Sequence, residues 1–190
     1  MTFYSYQSIK PVVGAGTFVH PSATLIGDVI IGASCYIGPG ASLRGDFGRI
    51  VVEDGSNVQD NCVMHSFPDK DCVIESGGHI GHCAILHGCR IGRNALVGMG
   101  SVVMDGATVG EEAIIGAMSF LPEAFAVPPR MLALGTPARL VRRVTADELA
   151  RKTRGTAEYR ELAAQSIATL SRCEPLAEPE LNRRRIAPQG

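Results

Sequence analysis

The chain has 190 residues, of which 45% are hydrophobic and 19% charged, and its formal net charge is −1. This length predicts one domain with an appendage. With a net charge so near zero, no overall field argues for binding to nucleic acid or acidic membranes. The N-terminus carries Lys10 and no long apolar run, so we expect neither a signal peptide nor a membrane span. The six Cys form no Cys-x-x-Cys pair, which favours a reducing, cytoplasmic compartment.

An aliphatic-type residue returns about every six positions over most of the chain. The positions are Val19, Leu25, Ile31, Ile37, Leu43, Val52, Val58, Met64, Ile74, Ile80, Leu86, Ile91, Val97, Val103, Val109, Ile115 and Leu121. Neither the period of an α-helix nor that of a flat strand fits this spacing, whereas a hexapeptide repeat is the signature of a parallel β-helix. An ordinary β-sandwich is the alternative, and so many near-regular repeats argue against it. We therefore predict an all-β solenoid, a left-handed parallel β-helix of hexapeptide repeats, at residues 10–122.

Small residues and insertions add detail to this repeat. Cys35 and Cys62 stand four positions after an aliphatic residue, in the slot that Ala fills elsewhere, so we expect them in the core. Three residues are inserted before Val52 and four before Ile74, the second insertion forming a loop at residues 67–71. Insertions in repeat proteins often mark the binding face.

The repeat stops after Leu121 and gives way to a different kind of sequence. Residues 123–144 form a Pro- and Gly-rich return segment. Thr145-Ala146-Asp147-Glu148 is a capping box, so we predict a C-terminal α-helical appendage at residues 145–172, with Gly155 as a break between two helices. The tail, residues 173–190, is rich in Pro, Glu and Arg and is predicted to be extended.

Three of the five histidines fall at informative positions in the repeat. His65 and His87 each follow an inward aliphatic residue, three repeats apart, so both point outward from the same face of adjacent coils. Their separation of 22 is one coil of 18 residues plus the four-residue insertion. His82 lies two positions after an inward residue and belongs to a different face. We assign no ligand role to His20 or His79.

A second copy of the chain can bring His82 to the other two histidines. In a ring closed around a threefold axis, one face of each prism meets a different face of its neighbour. Three neutral imidazoles at about 2 Å from a divalent ion, with an open fourth position, form a catalytic zinc arrangement. We therefore predict a homotrimer in which His65, His82 and His87 bind Zn²⁺ between subunits, with Fe²⁺ or Co²⁺ as alternatives.

Other polar residues fall on the same two faces. Arg44 stacks below His65, and Asp60 lies directly below His82, so we expect Arg44 and Asp60 to form an ion pair between chains. Gln59, beside Asp60, is placed to hold a metal-bound water by hydrogen bonding.

Three segments and His65 carry a family resemblance. The segments are Arg44-Gly45-Asp46, Asn57-Val58-Gln59-Asp60-Asn61 and Gly81-His82-Cys83-Ala84-Ile85-Leu86-His87-Gly88. Over residues 10–140 the chain resembles the gamma-class carbonic anhydrase superfamily. The resemblance implies a homotrimeric left-handed β-helix with His65, His82 and His87 as shared metal ligands. It also implies Gln59 near the water and Arg44, Asp46 and Asp60 at the interface.

Residues 59–68, 84–89 and 94–99 are similar to a narrower group, the phenylacetic acid degradation hexapeptide proteins, which resemble the carnitine operon proteins. The resemblance implies hydrolysis of acyl-CoA thioesters. The prototype anhydrase has a proton-shuttling Glu directly after the interface Asp, whereas this chain has Phe47. Phe47 argues against efficient CO₂ hydration and suits an acyl or aryl group beside the metal.

These observations predict a metal-dependent acyl-CoA thioesterase of the phenylacetate-pathway type. Metal-bound hydroxide would attack the thioester carbonyl, with Gln59 orienting it. Three alternatives stay open: a gamma-class carbonic anhydrase, a hexapeptide acyltransferase, and a non-catalytic trimeric accessory protein. The predicted partners are further copies of the chain and an acyl-CoA substrate, with no nucleic acid and no membrane.

Overall fold

The computed structural model describes residues 2–186 as a parallel β-helix with one α-helix along its side. Within these residues the strands β1 to β20 are, in chain order, Thr2–Tyr4, Val12–Val13, Phe18–Val19, Thr24–Ile31, Tyr36–Ile37, Ser42–Val52, Asn57–Val58, Val63–His65, Cys72–Ile74, His79–Ile80, Ile85–His87, Arg90–Ile91, Leu96–Val97, Val102–Val103, Thr108–Val109, Ile114–Ile115, Phe120–Leu121, Ala126–Val127, Met131–Gly135 and Ala138–Arg143. The helix α1 spans Ala146–Thr169.

The strands stack into three faces. The histidine face contains β8, β11, β14 and β17, and the back face contains β9, β12, β15 and β18. The helix face contains β3, β5, β7, β10, β13, β16, β19 and β20. β6 joins the first two faces, because Ser42 and Leu43 pair with β8 while residues 50–52 pair with β9. The three-residue insertion before Val52 therefore lies within one long strand.

The core follows the predicted repeat. All of the aliphatic positions named above are buried in one cluster that runs the length of the solenoid, and Cys35 and Cys62 lie in it. Parallel register repeats this pattern from coil to coil, as Ile80 pairs with Val97 and Val97 with Ile115. The fold class is thus the predicted one, since removal of aliphatic surface from water at every repeat favours this arrangement.

The solenoid is longer at both ends than predicted. β1 pairs in parallel with β4, so the stack begins at residue 2 and not at residue 10. Beyond residue 122, β18 and β19 continue the parallel pairing, and only β20 runs antiparallel. Val127 and Ala133 are buried at the next two spacings of six after Leu121, so the repeat continues through the first half of the predicted return segment.

The C-terminal appendage is one helix rather than two. The predicted capping box is present, with Thr145 accepting from the Glu148 amide and Glu148 reaching back to Thr145. α1 passes through Gly155 without a break, because one interior Gly costs only about 1 kcal/mol and the helix is held on the solenoid on both sides of it. Residues 173–186 have no helix or strand, and residues 187–190 of the predicted tail lie outside the described residues.

The buried side of α1 is partly polar. Lys152, Thr156 and Ala163 are its buried residues, whereas Ile167 is more than half exposed. Lys152 donates hydrogen bonds to the Gly77 carbonyl and to Asn94, at 2.7 and 2.5 Å. Within residues 2–186 no helix has the length and hydropathy that a lipid bilayer crossing requires.

Candidate metal site

His65 and His87 lie side by side on the histidine face. His65 ends β8 and His87 ends β11, and the two residues are direct partners in the parallel register. Each follows a fully buried residue, Met64 or Leu86, and alternation along a strand therefore turns both imidazoles outward. His65 Nδ1 lies 3.2 Å from His87 Nε2. The repeat arithmetic correctly placed these two histidines on one face in adjacent coils.

A carboxylate holds the far nitrogen of each ring. His65 Nε2 is 3.0 Å from Asp46 Oδ1, and His87 Nδ1 is 2.9 Å from both carboxylate oxygens of Asp105. A neutral imidazole that donates its N–H to a carboxylate keeps its lone pair on the other nitrogen. When both rings donate to their carboxylates in this way, the two facing atoms are lone-pair nitrogens, and a cation between them would relieve their repulsion.

The spacing of the facing nitrogens fits a divalent ion. Two nitrogens bound to one tetrahedral metal at ~2.0–2.1 Å lie about 3.3 Å apart, close to the 3.2 Å between His65 Nδ1 and His87 Nε2. The carboxylate behind each imidazole is the usual companion of a metal-binding His, because it fixes the tautomer and raises the basicity of the ligand.

His82 lies elsewhere in the same chain and shows the same pattern. It occupies the corner between β10 and β11, and its Nδ1 is 2.7 Å from Asp60 Oδ2. Its other ring nitrogen, Nε2, is 3.5 Å from the hydroxyl of Tyr159 on α1, at the outer limit of a hydrogen bond. Among the described residues of one chain, no three side chains of the metal-binding types converge, so His65, His87 and His82 do not meet within a single subunit.

Gln59 is buried next to this corner. Its amide nitrogen donates to Asn57 Oδ1 at 3.0 Å and lies 2.8 Å from His79 Nε2. Burial, reinforced by the charge of Lys152, lowers the pKa of His79 to about 4, so His79 is neutral at pH 7 and its Nε2 can accept. Both amide hydrogens of Gln59 are then used, and its carbonyl oxygen is left as a hydrogen-bond acceptor.

Two aromatic rings flank the histidine pair. Phe47 is 60% exposed, and its ring centroid is 5.5 Å from that of His65. Phe67, in the four-residue insertion, lies edge-on to His87 at 4.9 Å. Phe47 and Phe67 thus form two apolar walls beside the candidate ligands, and the role of Phe47 in holding an acyl group stays a prediction.

The predicted interface residues have partners within the chain. Arg44 pairs with Asp46 at 3.1 Å, and Asp60 pairs with His82. Asp46 consequently joins Arg44 to His65, which is a more specific contact than the general interface position implied by the family resemblance. The ion pair between Arg44 and Asp60 of different chains stays a prediction.

Sequence reasoning missed three groups at this site. Asp105 is buried and follows His87 by 18 residues, one full coil, so the repeat period could have identified it. His79 was given no role but contacts Gln59. Tyr159 was not predicted to lie at the site, yet its hydroxyl faces His82. Burial, together with nearby Asp60, raises its pKa to about 12, so it stays protonated. The position of α1 on the solenoid does not follow from the repeat, and no signal in the sequence points to this contact.

The family Bacterial transferase hexapeptide (six repeats) matches residues 10–45 and 88–122. The chain is 54% identical over 186 residues to the carnitine operon protein CaiE of Escherichia coli (strain K12), covering 98% of this chain and 95% of that protein. The CaiE protein of Salmonella agona is equally similar, at 54% identity and 98% and 94% coverage.

Two solved structures share the fold over nearly their full length. A hexapeptide transferase family protein from Anaplasma phagocytophilum has 38% identity and a TM-score of 0.83, covering 86% of this chain and 97% of that one. A proposed acetyltransferase from Bacillus cereus has 35% identity and a TM-score of 0.87, with 88% and 97% coverage. With a full-length relative at 54% identity, the chain belongs to the hexapeptide-repeat superfamily, in the group of the carnitine operon proteins CaiE.

Proposed function

We propose that the protein hydrolyses acyl-CoA thioesters at a divalent-metal site formed between subunits of a homotrimer. The observation that carries this proposal is that His65, His82 and His87 each have one ring nitrogen within 3.0 Å of a carboxylate. This arrangement leaves the opposite nitrogen of each ring free for a metal. A cluster of surface histidines without a metal role would not need the same partner three times.

Two subunits are needed because the three ligands lie at two separate places on each prism. A heterologous contact, in which the corner of His82 meets the histidine face of the next chain, closes into a ring with three equivalent sites. Ile85 and Val63 are exposed apolar residues on that histidine face, and Met99 and Met118 are exposed at the corners above His82. These residues provide the apolar surface that such a contact would bury.

A bound Zn²⁺, Fe²⁺ or Co²⁺ would lower the pKa of a water and polarise the thioester carbonyl. The carbonyl oxygen of Gln59 accepts a hydrogen bond from the attacking water and thereby orients its lone pair. The protonated hydroxyl of Tyr159 can donate to the oxygen that becomes negative as the water adds. Hydrolysis then breaks the C–S bond and releases a carboxylic acid and the CoA thiol.

Two observations bear on the acyl group of the proposed substrate. Phe47 and Phe67 make an apolar wall beside the histidine pair, which favours a hydrocarbon part in the substrate. The relatives described above are named carnitine operon proteins, so we propose an acyl-CoA of carnitine metabolism as the substrate class. The phenylacetate pathway stays a prediction.

The proposal is tested with the purified protein by metal analysis and by CoA release, detected with a thiol reagent. We expect about one divalent ion per chain, and CoA release that stops after treatment with a chelator. His82→Ala should remove both metal and activity while the circular dichroism of the β-helix persists, and His20→Ala should change neither. Full metal content in His82→Ala, or CoA release that survives chelation, would contradict the proposal.

Acyl transfer is the second candidate. It is favoured by the similar transferase family protein from Anaplasma phagocytophilum. The same CoA assay separates the two reactions, because a hydrolase releases CoA in water alone, whereas a transferase requires an acceptor and forms an acylated product. CO₂ hydration, measured on the same metal-loaded sample, tests the carbonic anhydrase alternative. Absence of activity in all three assays would favour an accessory protein.

A further inference from the structure

An apolar groove of about 360 Å³ begins at His82 and runs up the helix face. Its floor is formed by Leu96 and Ile114, which are register partners on β13 and β16, and its side by the corner residues Gly98 and Ala117. A volume of this size lies at the lower end of the range for small-molecule sites. Met99, one of the exposed residues offered above to the next subunit, also lines this groove, so the groove opens at the proposed subunit contact.

The groove exists because the outward side chains of the helix face change character along the stack. On β7 and β10 they are Asn57 and His79, which lie in contact beneath α1, with Asn57 Nδ2 3.2 Å from His79 Nδ1. One and two coils later they are Leu96 and Ile114, both half-exposed. α1 packs mainly on the early strands β3, β5 and β7, so this later apolar column has no cover within the chain.

The corner beside this column stays open because its residues lack side chains. A Cβ on Gly98 would lie 2.5 Å from the Ala117 backbone nitrogen, and one on Gly116 would lie 2.8 Å from Leu134 Cβ. Close stacking of the coils therefore requires Gly at both positions, and the same requirement leaves a smooth channel above His82.

One end of the groove is polar and the remainder is not. Gln59, His82 and Tyr159 converge at the lower end, where the proposed function puts the thioester carbonyl. Above them the backbone amides are already used in the stack, as Leu96 donates to Ala113 and Gly98 to Ile115. A ligand that enters the groove from the polar end thus meets hydrocarbon and satisfied peptide groups only.

We propose that this groove binds the acyl chain of the thioester, with the carbonyl at Gln59, His82 and Tyr159 and the hydrocarbon along Leu96 and Ile114. This inference rests on the proposed function and narrows its substrate class to thioesters with a linear hydrocarbon acyl group, which excludes acyl groups that carry the charged ammonium of carnitine itself. The pantetheine arm of CoA is the competing occupant. It carries two amides, which would lose water without gaining partners here, whereas an alkyl chain has no polar group to satisfy.

The test uses S-alkyl-CoA thioethers with butyl, hexyl and octyl chains, which cannot be hydrolysed, and titration calorimetry of the metal-loaded protein. Affinity should rise with chain length, by up to about fourfold per added CH₂. Leu96→Trp fills the groove and should abolish this rise. Val51→Trp is the matched control, a half-exposed aliphatic position on the back face, and should leave the rise intact.

The outcomes separate this inference from the proposed function. A chain-length dependence that Leu96→Trp removes supports the groove even where no acyl-CoA is hydrolysed, in which case only the hydrolase assignment fails. Affinities that do not change with chain length would overturn the groove even where CoA is released from every acyl-CoA. If Leu96→Trp weakens the binding of free CoA as much as the binding of octyl-CoA, the groove holds the pantetheine arm and the inference is wrong.

Discussion

At the scale of single residues, the site depends on how imidazoles are held. A His side chain at an exposed strand end rotates freely. Metal binding fixes the ring, and the rotational entropy lost in doing so weakens the binding. Asp46, Asp60 and Asp105 each fix one ring and one tautomer. Asp105 is the most buried of the three, at 6% exposure, so its hydrogen bond to His87 is the least open to competition by water.

We expect Asp105→Asn to weaken metal binding about 10- to 100-fold, the usual effect of altering the group behind a metal-bound His. The Asn carries no charge and holds the imidazole tautomer less firmly. Competition with a chelator of known affinity measures the change directly. Asp69→Asn, in the exposed loop at residues 67–71, is the control and should bind metal as the unaltered protein does. Equal affinity in both variants would show that Asp105 does not support the ligand.

At the scale of elements, α1 is attached to the solenoid by polar as well as apolar contacts. Tyr159, Leu162 and Ala163 pack on Phe18 and Tyr36 near the start of the stack. Nearer the N-terminus of the helix, Lys152, Thr153 and Thr156 make hydrogen bonds to the solenoid. A buried Lys bonded only to uncharged oxygens is costly when protonated, so this end of the helix should respond to pH.

Lys152 supplies a prediction with a definite sign. Burial, helped by the positive charge of Arg160 and opposed by Glu112, lowers its pKa from 10.5 to about 7. Between these values the unfolded chain binds more protons than the folded one, so the free energy of unfolding rises with pH from about 7 to about 10.5. The whole change in the free energy of unfolding across this pH range is on the order of 3–5 kcal/mol.

Urea unfolding at fixed protein concentration, between pH 7 and pH 10, measures this dependence. The free energy of unfolding of Lys152→Met should change less with pH over the same range, whatever its value at pH 7, because the titrating group is gone. Parallel pH profiles for the two proteins would mean that Lys152 keeps its ordinary pKa in the folded state.

Gly155→Ala should stabilise the protein by roughly 0.5–1 kcal/mol. Ala is favoured over Gly in a helix interior, and it reduces the freedom of the unfolded chain. The new Cβ would lie 3.8 Å from His79 Cε1, an ordinary contact. The midpoint of urea unfolding reports the change, and a lower midpoint would show that α1 lies too close to β10 for a methyl group.

At the scale of the whole molecule, the six-residue repeat was sufficient to predict the features that depend on the repeat alone. A period of six specifies which residues are buried and which coil each occupies, so it located the core and the pair of His65 and His87. It says nothing about α1, whose position depends on side chains such as Lys152 that no apolar pattern marks. The break predicted at Gly155 is absent because contacts with the solenoid, which local propensity does not include, hold the helix on both sides. The partner of His82 could not be found in one chain because the three ligands do not converge there.

The division of the ligands between chains gives a prediction that no single-chain site shares. We expect a mass of about 60 kDa by light scattering, three times the 20.1 kDa of the chain. His65→Ala and His82→Ala should each be inactive alone. In a mixed trimer, the intact His65 and His87 of one variant meet the intact His82 of the other at one of the three sites.

Unfolding the two variants together and refolding them should therefore restore activity. With random assortment of equal amounts, three trimers in four are mixed and each has one intact site of three, so about a quarter of the unaltered activity should return. His65→Ala mixed with His87→Ala is the control: both ligands come from the same chain, no combination completes a site, and activity should stay absent. No recovery in the first mixture, despite mixed trimers of the right mass, would place all three ligands on one subunit. Recovery in the control would show that His65 and His87 of one site come from different chains. Either result would refute the site as proposed.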